Sequence, residues 1–229
     1  TVGAENTWNQ NAHDFSAQHI EELTSMLQLC QENGTRLLLI SAPKTTLDVV
    51  SYETYFDDYA YFKQLAAQYG ASYYDFNLAK PELFENKEPD YHKDFTHMNA
   101  AGGHAFSLSM AKFLAMLDAG QDVESLFETP SEYLVAVNYI TNVYLTPEVH
   151  PDKILLLAGS YHGPSVQAEY EFWVKAPGES EYSRVSAYST RSWTEYAAAE
   201  HGPYQFRVNA RIVGSSADFE RYYECSVDF

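Results

Sequence analysis

The sequence is poor in cysteine, in basic residues and in long apolar runs. Its only cysteines are Cys30 and Cys225, which are too few for a disulfide-stabilised scaffold. We expect both to be small, buried side chains rather than the two halves of a bridge. No apolar run approaches the roughly 20 residues that a membrane-spanning helix needs. Membrane insertion is therefore not expected.

Basic residues are scarce, since 14 Lys and Arg stand against 32 Asp and Glu, which gives a net charge of −18. The acidic residues are spread along the chain, whereas nucleic acids and anionic membranes bind to basic patches. The composition argues against a nucleic-acid partner and is typical of a solvated acidic surface.

A convincing serine nucleophile is also missing. Ser41 follows an apolar run, but no glycine turn exposes it, and Ser160 follows Gly159 in the strand-rich second half. The chain begins at Thr1 without an initiator methionine or a recognisable signal peptide. We therefore expect a fragment whose nucleophile and targeting segment would lie upstream.

Asp94 and His97 carry the clearest chemistry in the chain. A carboxylate three residues before a histidine can accept one imidazole N–H and so fix the tautomer of the ring. The other ring nitrogen is then free to take a proton from a hydroxyl nucleophile. Asn99 is well suited to cap the helix that follows, and we expect Gly102 and Gly103 to permit a close approach to another backbone segment.

A metal site is the alternative interpretation of this region. His92, Asp94, His97 and His104 fall within a short window, and such clusters can bind zinc. Their spacing fits none of the standard zinc patterns, and His97 and His104 lie on either side of the start of a helix. We therefore predict neither a metal nor a cofactor.

The first half of the chain alternates between helical and strand periods. We predict a helix capped by Ser16, a buried strand at 37–40, a helix over about 53–69, a strand at 72–76 and a final helix after Asn99. The inward-facing residues of the final helix are predicted to be Phe106, Met110, Phe113 and Leu117. Such an order forms half of a three-layer α/β sandwich.

The second half has a period of two, with turn residues between the apolar runs. The predicted strands are 134–145, 154–161, 168–175, 182–188, 191–197, 203–213 and 219–228. Core positions are expected at Tyr170, Phe172, Trp193, Tyr204 and Phe206. The domains are therefore placed at 1–120 and 132–229, with a linker at 121–131, and the second domain is predicted to be a β-sandwich.

The segment 94–102, Asp-Phe-Thr-His-Met-Asn-Ala-Ala-Gly, resembles the final signature block of the SGNH/GDSL hydrolase superfamily, Asp-x-x-His-Leu-Asn-x-x-Gly. The similarity extends over residues 14–117, in the manner of bacterial cell-surface members. It implies an incomplete flavodoxin-like α/β/α fold and esterase or acyltransferase chemistry without a metal. It would make His97 the general acid/base and Asp94 its orienting partner. The family's Gly-Asp-Ser block has no counterpart in the chain, so the chain by itself is expected to be inactive.

The segment 170–229 resembles the aromatic-rich, immunoglobulin-like modules of bacterial surface and sensor proteins, including the triple-tyrosine type. The similarity is clearest at 202–211, Gly-Pro-Tyr-Gln-Phe-Arg-Val-Asn-Ala-Arg. It implies a fold and leaves open whether the module binds glycans or peptides or serves as a spacer.

Three functional hypotheses follow from the sequence. The favoured one is part of an SGNH-type esterase or acyltransferase that acts on acylated glycans outside the cell. The second is a non-catalytic bacterial surface protein whose modules serve adhesion or ligand binding. The third is a pair of domains in a sensor or assembly protein.

Overall fold

The structure is a computed structural model that describes residues 15–87, 90–91 and 96–229. It divides into two compact units, Thr1–Tyr133 and Leu134–Phe229. The first unit combines helices with a parallel strand pair and the second contains antiparallel sheets, so the chain is mixed α/β. Among the described helices, none has both the length and the apolar character that a bilayer span requires.

The predicted helices and strands of the first unit are found in the predicted order, together with short helices at Thr46–Ser51 and Pro130–Ala136 that were not predicted. Its elements are α1 (Ala17–Glu32), β1 (Leu38–Ser41), α2 (Thr46–Ser51), α3 (Tyr55–Gln68), β2 (Ser72–Asp75), α4 (Ala100–Asp118) and the start of α5 (Pro130–Ala136). Ser16 caps α1, because its hydroxyl accepts a hydrogen bond from His19 N–H at 3.1 Å. The predicted N-cap is therefore confirmed.

β1 and β2 form a parallel pair, with Leu38 opposite Ser72 and Ser41 opposite Asp75. The carboxyl ends of the two strands consequently lie side by side at one edge of the sheet. The segments that leave this edge carry most of the polar residues discussed below.

The core of the first unit is aromatic. Phe113 of α4 is fully buried, and Phe106, Met110 and Leu117 pack against the same cluster, so the predicted inward face of α4 is confirmed. The predicted linker at 121–131 belongs in part to this core, because Val123 is only 4% exposed. Backbone hydrogen bonds join the same segment to residues just after β2, from Lys80 N–H to Leu126 O and from Glu128 N–H to Leu78 O.

The predicted strand at 134–145 is wrong over its first part, where α5 occupies Pro130–Ala136. Thr129 and Glu132 form a reciprocal capping pair, with Thr129 N–H donating to Glu132 Oε2 at 2.7 Å and Glu132 N–H donating to Thr129 Oγ1 at 3.3 Å. Proline at the first helical position adds to this start signal. The signal outweighs the apolar alternation that suggested a strand.

The second unit consists of two antiparallel sheets. Its strands are β3 (Asn142–His150), β4 (Lys153–Tyr161), β5 (Ala168–Lys175), β6 (Ser183–Ser189), β7 (Trp193–Tyr196), β8 (Pro203–Ile212) and β9 (Arg221–Asp228). One sheet has the order β3-β4-β7 and the other the order β6-β5-β8-β9. Buried residues from both sheets form a single hydrophobic cluster, which is compatible with the predicted β-sandwich.

Four of the five predicted core aromatics are buried in this cluster, namely Tyr170, Phe172, Tyr204 and Phe206. Trp193 is not, and its predicted core position is wrong. The Trp193 side chain is 43% exposed, and the guanidinium of Arg191 lies 4.7 Å from the ring centre. Side chains alternate between the two faces of β7. Trp193 lies on the outward face, and Thr194, which is 5% exposed, lies on the inward face.

The side chain of Tyr204 connects the start of β8 to the backbone that precedes it. The hydroxyl of buried Tyr204, at the start of β8, donates to Glu200 O at 2.9 Å and accepts from Glu200 N–H at 3.3 Å.

Cys225 in β9 is a free thiol, as is Cys30 in α1, and both are partly buried. Burial raises the pKa of Cys225 to about 11, so this thiol is protonated at neutral pH.

Candidate functional site

A buried polar cluster lies at the carboxyl edge of the parallel sheet. Asp75 ends β2 and Asn77 follows it, and these side chains are 2% and 4% exposed. Asn77 donates to Asp75 Oδ1 from its backbone N–H at 3.0 Å and from Nδ2 at 2.8 Å, while Tyr55 Oη donates to Asp75 Oδ2 at 2.8 Å. Each carboxylate oxygen therefore has a donor, as a buried carboxylate requires.

Burial and hydrogen bonding act in opposite directions on the pKa of Asp75. Desolvation is the larger effect and raises it, while the bonds from Asn77 and Tyr55 favour the ionised form and lower it. The pKa of Tyr55 is raised, first by burial and then by the negative charge of Asp75. Tyr55 therefore remains a hydrogen-bond donor to the carboxylate.

A chain of hydrogen bonds runs from this cluster toward the residues that precede α4. Lys44 N–H donates to Asn77 Oδ1 at 2.7 Å, and Lys44 O accepts from Asn86 Nδ2 at 2.7 Å. Asn86 Oδ1 then accepts from Tyr91 Oη at 2.7 Å, and Tyr91 O accepts from Asn99 Nδ2 at 3.4 Å. We call this series, Asn77–Lys44–Asn86–Tyr91–Asn99, the edge relay.

Asn99 is the N-cap of α4, as predicted. Its Oδ1 accepts from Ala101 N–H at 2.9 Å and from Gly102 N–H at 3.1 Å, and its own N–H donates to Asp90 O at 2.8 Å. An antiparallel bridge between Tyr91 and Met98 holds the two sides of the loop together. The start of α4 is therefore fixed to the described ends of the loop.

The predicted close approach is found at Gly102 and not at Gly103. A Cβ added to Gly102 would lie 2.3 Å from Asp90 O, whereas one added to Gly103 would meet nothing within 4 Å. Only a glycine at position 102 allows the Asp90 backbone to lie against the first turn of α4.

His97 lies two residues before this cap, and its side chain is exposed. Its Nδ1 is 3.4 Å from the hydroxyl of Thr96. Asp94 lies outside the described residues, so the pairing of Asp94 with His97 stays a prediction. The structure places His97, Asn99 and Gly102 together at the start of α4.

The two serines considered from the sequence each share a hydrogen bond with a tyrosine. Ser41 Oγ lies 2.8 Å from Tyr73 Oη, and Ser160 Oγ lies 2.7 Å from Tyr170 Oη. Burial raises the pKa of both tyrosines. Neither phenol is a base that could activate a serine at neutral pH.

The metal site that was weighed as an alternative would include His92 and Asp94, which lie outside the described residues. Within 15–87, 90–91 and 96–229, no group of three His, Cys, Asp or Glu side chains is arranged to hold a metal ion.

The first unit also has a groove of about 570 Å³ beside β2. Its lining comes from α3, β2 and the segment that follows α4, including Tyr59, Lys63, Tyr73, Glu124 and Phe127. The segment 96–102 does not contribute to this lining, so the groove and the His97 region are separate features.

The edge relay was not predicted from the sequence. One available signal was the Asp-Phe-Asn sequence at 75–77, which places two polar side chains at the end of a strand, where α/β sheets position functional groups. The relay also uses the main chain of Lys44 and the side chain of Asn86, which are far from His97 in sequence. No short motif contains this information.

No protein-family model matches the chain, and no curated protein sequence matches it.

Proposed function

We propose that the first unit supplies the acid/base half of an SGNH-type esterase or acyltransferase site. His97 is the general acid/base, and Asp94 orients its ring by accepting an N–H hydrogen bond. The observation that supports this proposal is the edge relay. It joins the carboxyl edge of the parallel sheet, where ligands of open α/β sheets bind, to the cap residue two positions after His97.

The chemistry needs a serine that lies close to His97. The free ring nitrogen of His97 takes the serine proton as the oxygen attacks the ester carbonyl, and it returns a proton to the alcohol that leaves. The acyl group then passes from serine to water or to an acceptor hydroxyl. Because Ser41 and Ser160 share hydrogen bonds with tyrosines, we assign the nucleophile to sequence outside this chain.

The proposed substrate is an acylated carbohydrate or similar ester at the bacterial cell surface. The second unit fits this setting as an immunoglobulin-like module. Its sheets, β3-β4-β7 and β6-β5-β8-β9, correspond to an A-B-E sheet and a C′-C-F-G sheet of that fold. Tyr204 has the hydrogen bond to the backbone four residues upstream that such modules have at the corner before strand F.

The test uses the protein encoded by the complete reading frame that contains this chain, with p-nitrophenyl acetate and an O-acetylated glycan as substrates. His97→Ala is expected to lower kcat/KM by about a thousandfold. His104→Ala is the matched control, because His104 is also exposed but lies just over one turn into α4. It is expected to leave kcat/KM within about twofold.

Equal activity of the wild type and His97→Ala would refute the proposal. Absence of turnover in the complete protein would instead support a non-catalytic surface protein. The chain of 229 residues is expected to show no His97-dependent turnover when assayed alone.

A further inference from the structure

The second unit has a polar and aromatic cavity on the outer face of its four-stranded sheet. The cavity has a volume of about 400 Å³, within the range of roughly 300–1,000 Å³ typical of small-molecule sites. Its walls include Glu171, Trp173, Tyr188, Arg207, Asn209 and Arg211. We call it the sheet-face pocket.

Strand alternation explains why these residues lie together. On β5 and β8 the residues Phe172, Val174, Val208 and Ala210 are buried in the core, so their neighbours point to the opposite face. The antiparallel register sets Glu171 opposite Asn209, Trp173 opposite Arg207 and Glu169 opposite Arg211. Such directly opposed side chains are close enough to interact.

Glu171 forms the floor of the pocket and is 7% exposed. Its Oε2 accepts hydrogen bonds from Trp173 Nε1 at 2.9 Å and Asn209 Nδ2 at 3.3 Å, and its Oε1 lies 3.4 Å from an Arg184 nitrogen. The carboxylate is therefore held in one position before any ligand binds, which reduces the entropic cost of recognition.

The two arginines in the wall are held against aromatic rings. The guanidinium of Arg207 lies 4.3 Å from the ring centre of Tyr222, and that of Arg211 lies 3.9 Å from the ring centre of Tyr188. Arg207 Nε also donates to Asn209 Oδ1 at 2.8 Å. Because a guanidinium has five N–H donors, each arginine keeps donors for a ligand.

The charges of the pocket are balanced. Ion pairs join Arg184 to Glu171, Arg207 to Glu224 and Arg211 to Glu169, with distances of 3.4, 3.7 and 2.6 Å. The wall therefore carries no excess of positive charge, and the chain as a whole has a net charge of −18. Both facts disfavour an anionic ligand.

We propose that the sheet-face pocket binds a neutral carbohydrate. A sugar ring has an apolar C–H face that can lie on aromatic side chains, and it has hydroxyl groups around its edge that both donate and accept hydrogen bonds. The pocket offers aromatic surface from Trp173, donors from Arg207 and Arg211, and an acceptor in Glu171. This proposal does not depend on hydrolase activity in the first unit.

The test is a titration of the full 229-residue chain with cellotetraose, chitotetraose and mannotetraose, followed by the indole N–H resonance of Trp173 in ¹H–¹⁵N spectra. At least one tetrasaccharide is expected to shift this resonance saturably, with a Kd between about 0.01 and 1 mM. Trp173→Ala is expected to weaken binding at least about tenfold, as measured by calorimetry.

Trp193→Ala is the matched control, because Trp193 is an exposed tryptophan that belongs to the other sheet. It is expected to change the Kd less than about twofold. Glu171→Gln is a second test variant, for use if Trp173→Ala does not fold. It keeps the shape of the pocket and is also expected to weaken binding at least about tenfold.

Three results would overturn the proposal. The first is that none of the three sugars shifts the resonance saturably at about 10 mM. The second is that the Glu171→Gln and Trp193→Ala variants bind the sugar with equal affinity. The third is that the acidic sugar tetragalacturonate binds more tightly and in a salt-sensitive way.

Discussion

The hydroxyl of Tyr55 donates a 2.8 Å hydrogen bond to Oδ2 of Asp75, inside the first unit and at the carboxyl edge of its parallel sheet. Tyr55 begins α3 and Asp75 ends β2, so this bond joins a helix to the sheet. Asn77 connects the same carboxylate to the edge relay. A buried carboxyl group therefore lies at the start of the edge relay, which leads to Asn99, two residues after His97.

Asp75→Asn is expected to remove a pH dependence of stability. Burial raises the pKa of Asp75 in the folded protein above its ordinary value of 3.8. As the pH rises from 3.8 to the pKa of Asp75 in the folded protein, this carboxyl group loses its proton first in the unfolded chain. The free energy of unfolding therefore falls over this range and becomes constant above it. Urea denaturation across this window should show the fall in the wild type and its loss in the variant. Parallel curves would contradict the prediction.

Gly102→Ala is expected to destabilise the first unit by about 1–3 kcal/mol, because its Cβ would overlap the Asp90 carbonyl. Gly103→Ala is the matched control at the next position of α4. It meets no atom within 4 Å and is expected to stabilise the helix by about 0.5–1 kcal/mol. Thermal denaturation of both variants measures the difference. A Gly102→Ala variant as stable as Gly103→Ala would disprove the close approach.

Tyr204→Phe is expected to lower the free energy of unfolding of the second unit by about 1–2 kcal/mol, because it removes both hydrogen bonds to the Glu200 backbone while retaining the buried ring. Tyr222→Phe is the control, because Tyr222 is 51% exposed. It should change stability by less than about 0.5 kcal/mol. Chemical denaturation, followed by a probe of the second unit, tests both values.

Asn86→Ala is expected to loosen the loop before α4 without unfolding the sheet. The variant removes the bonds to Lys44 O and from Tyr91 Oη, which are both in the edge relay. Hydrogen exchange of the Asn99 N–H, which donates to Asp90 O, should accelerate about tenfold. Exchange in α1 should not change, and unchanged exchange at Asn99 would show that the relay does not hold the loop.

The sequence was informative where one short segment determines a structure. Asn99 before an apolar periodic segment predicted the cap and the helix α4, because a cap depends only on neighbouring residues. The apolar run at 37–40 predicted β1 for a similar reason, although the residues of β1 are half-buried and not buried as predicted. In the second unit, alternation predicted the inward face of β5 and β8, where burial on one side requires a period of two.

The misses arise where two signals compete or where distant residues meet. At 134–141 the apolar residues suggested a strand, but the Thr129–Glu132 capping pair and Pro130 start a helix. Trp193 was assigned to the core with the other aromatic residues of the period-two pattern, whereas the buried residue of its strand is Thr194. A shift of one residue in the assumed alternation moves a side chain from one face of a strand to the other.

The candidate site and the sheet-face pocket could be predicted only in part. His97, Asn99 and Gly102 form one contiguous segment, so a motif could find them. The Glu171–Asn209 contact depends on strand register, and the edge relay passes through the main chain of Lys44. Neither leaves a pattern along the sequence.

The close approach of Gly102 to Asp90 bears on how a mutational survey of this protein should be interpreted. Any larger residue at position 102 would displace the chain ahead of His97, so under the proposed function a screen scored on turnover would rank this glycine beside His97 itself. A survey that also scored protein abundance would separate the two, since a glycine required for steric fit would reduce both signals together.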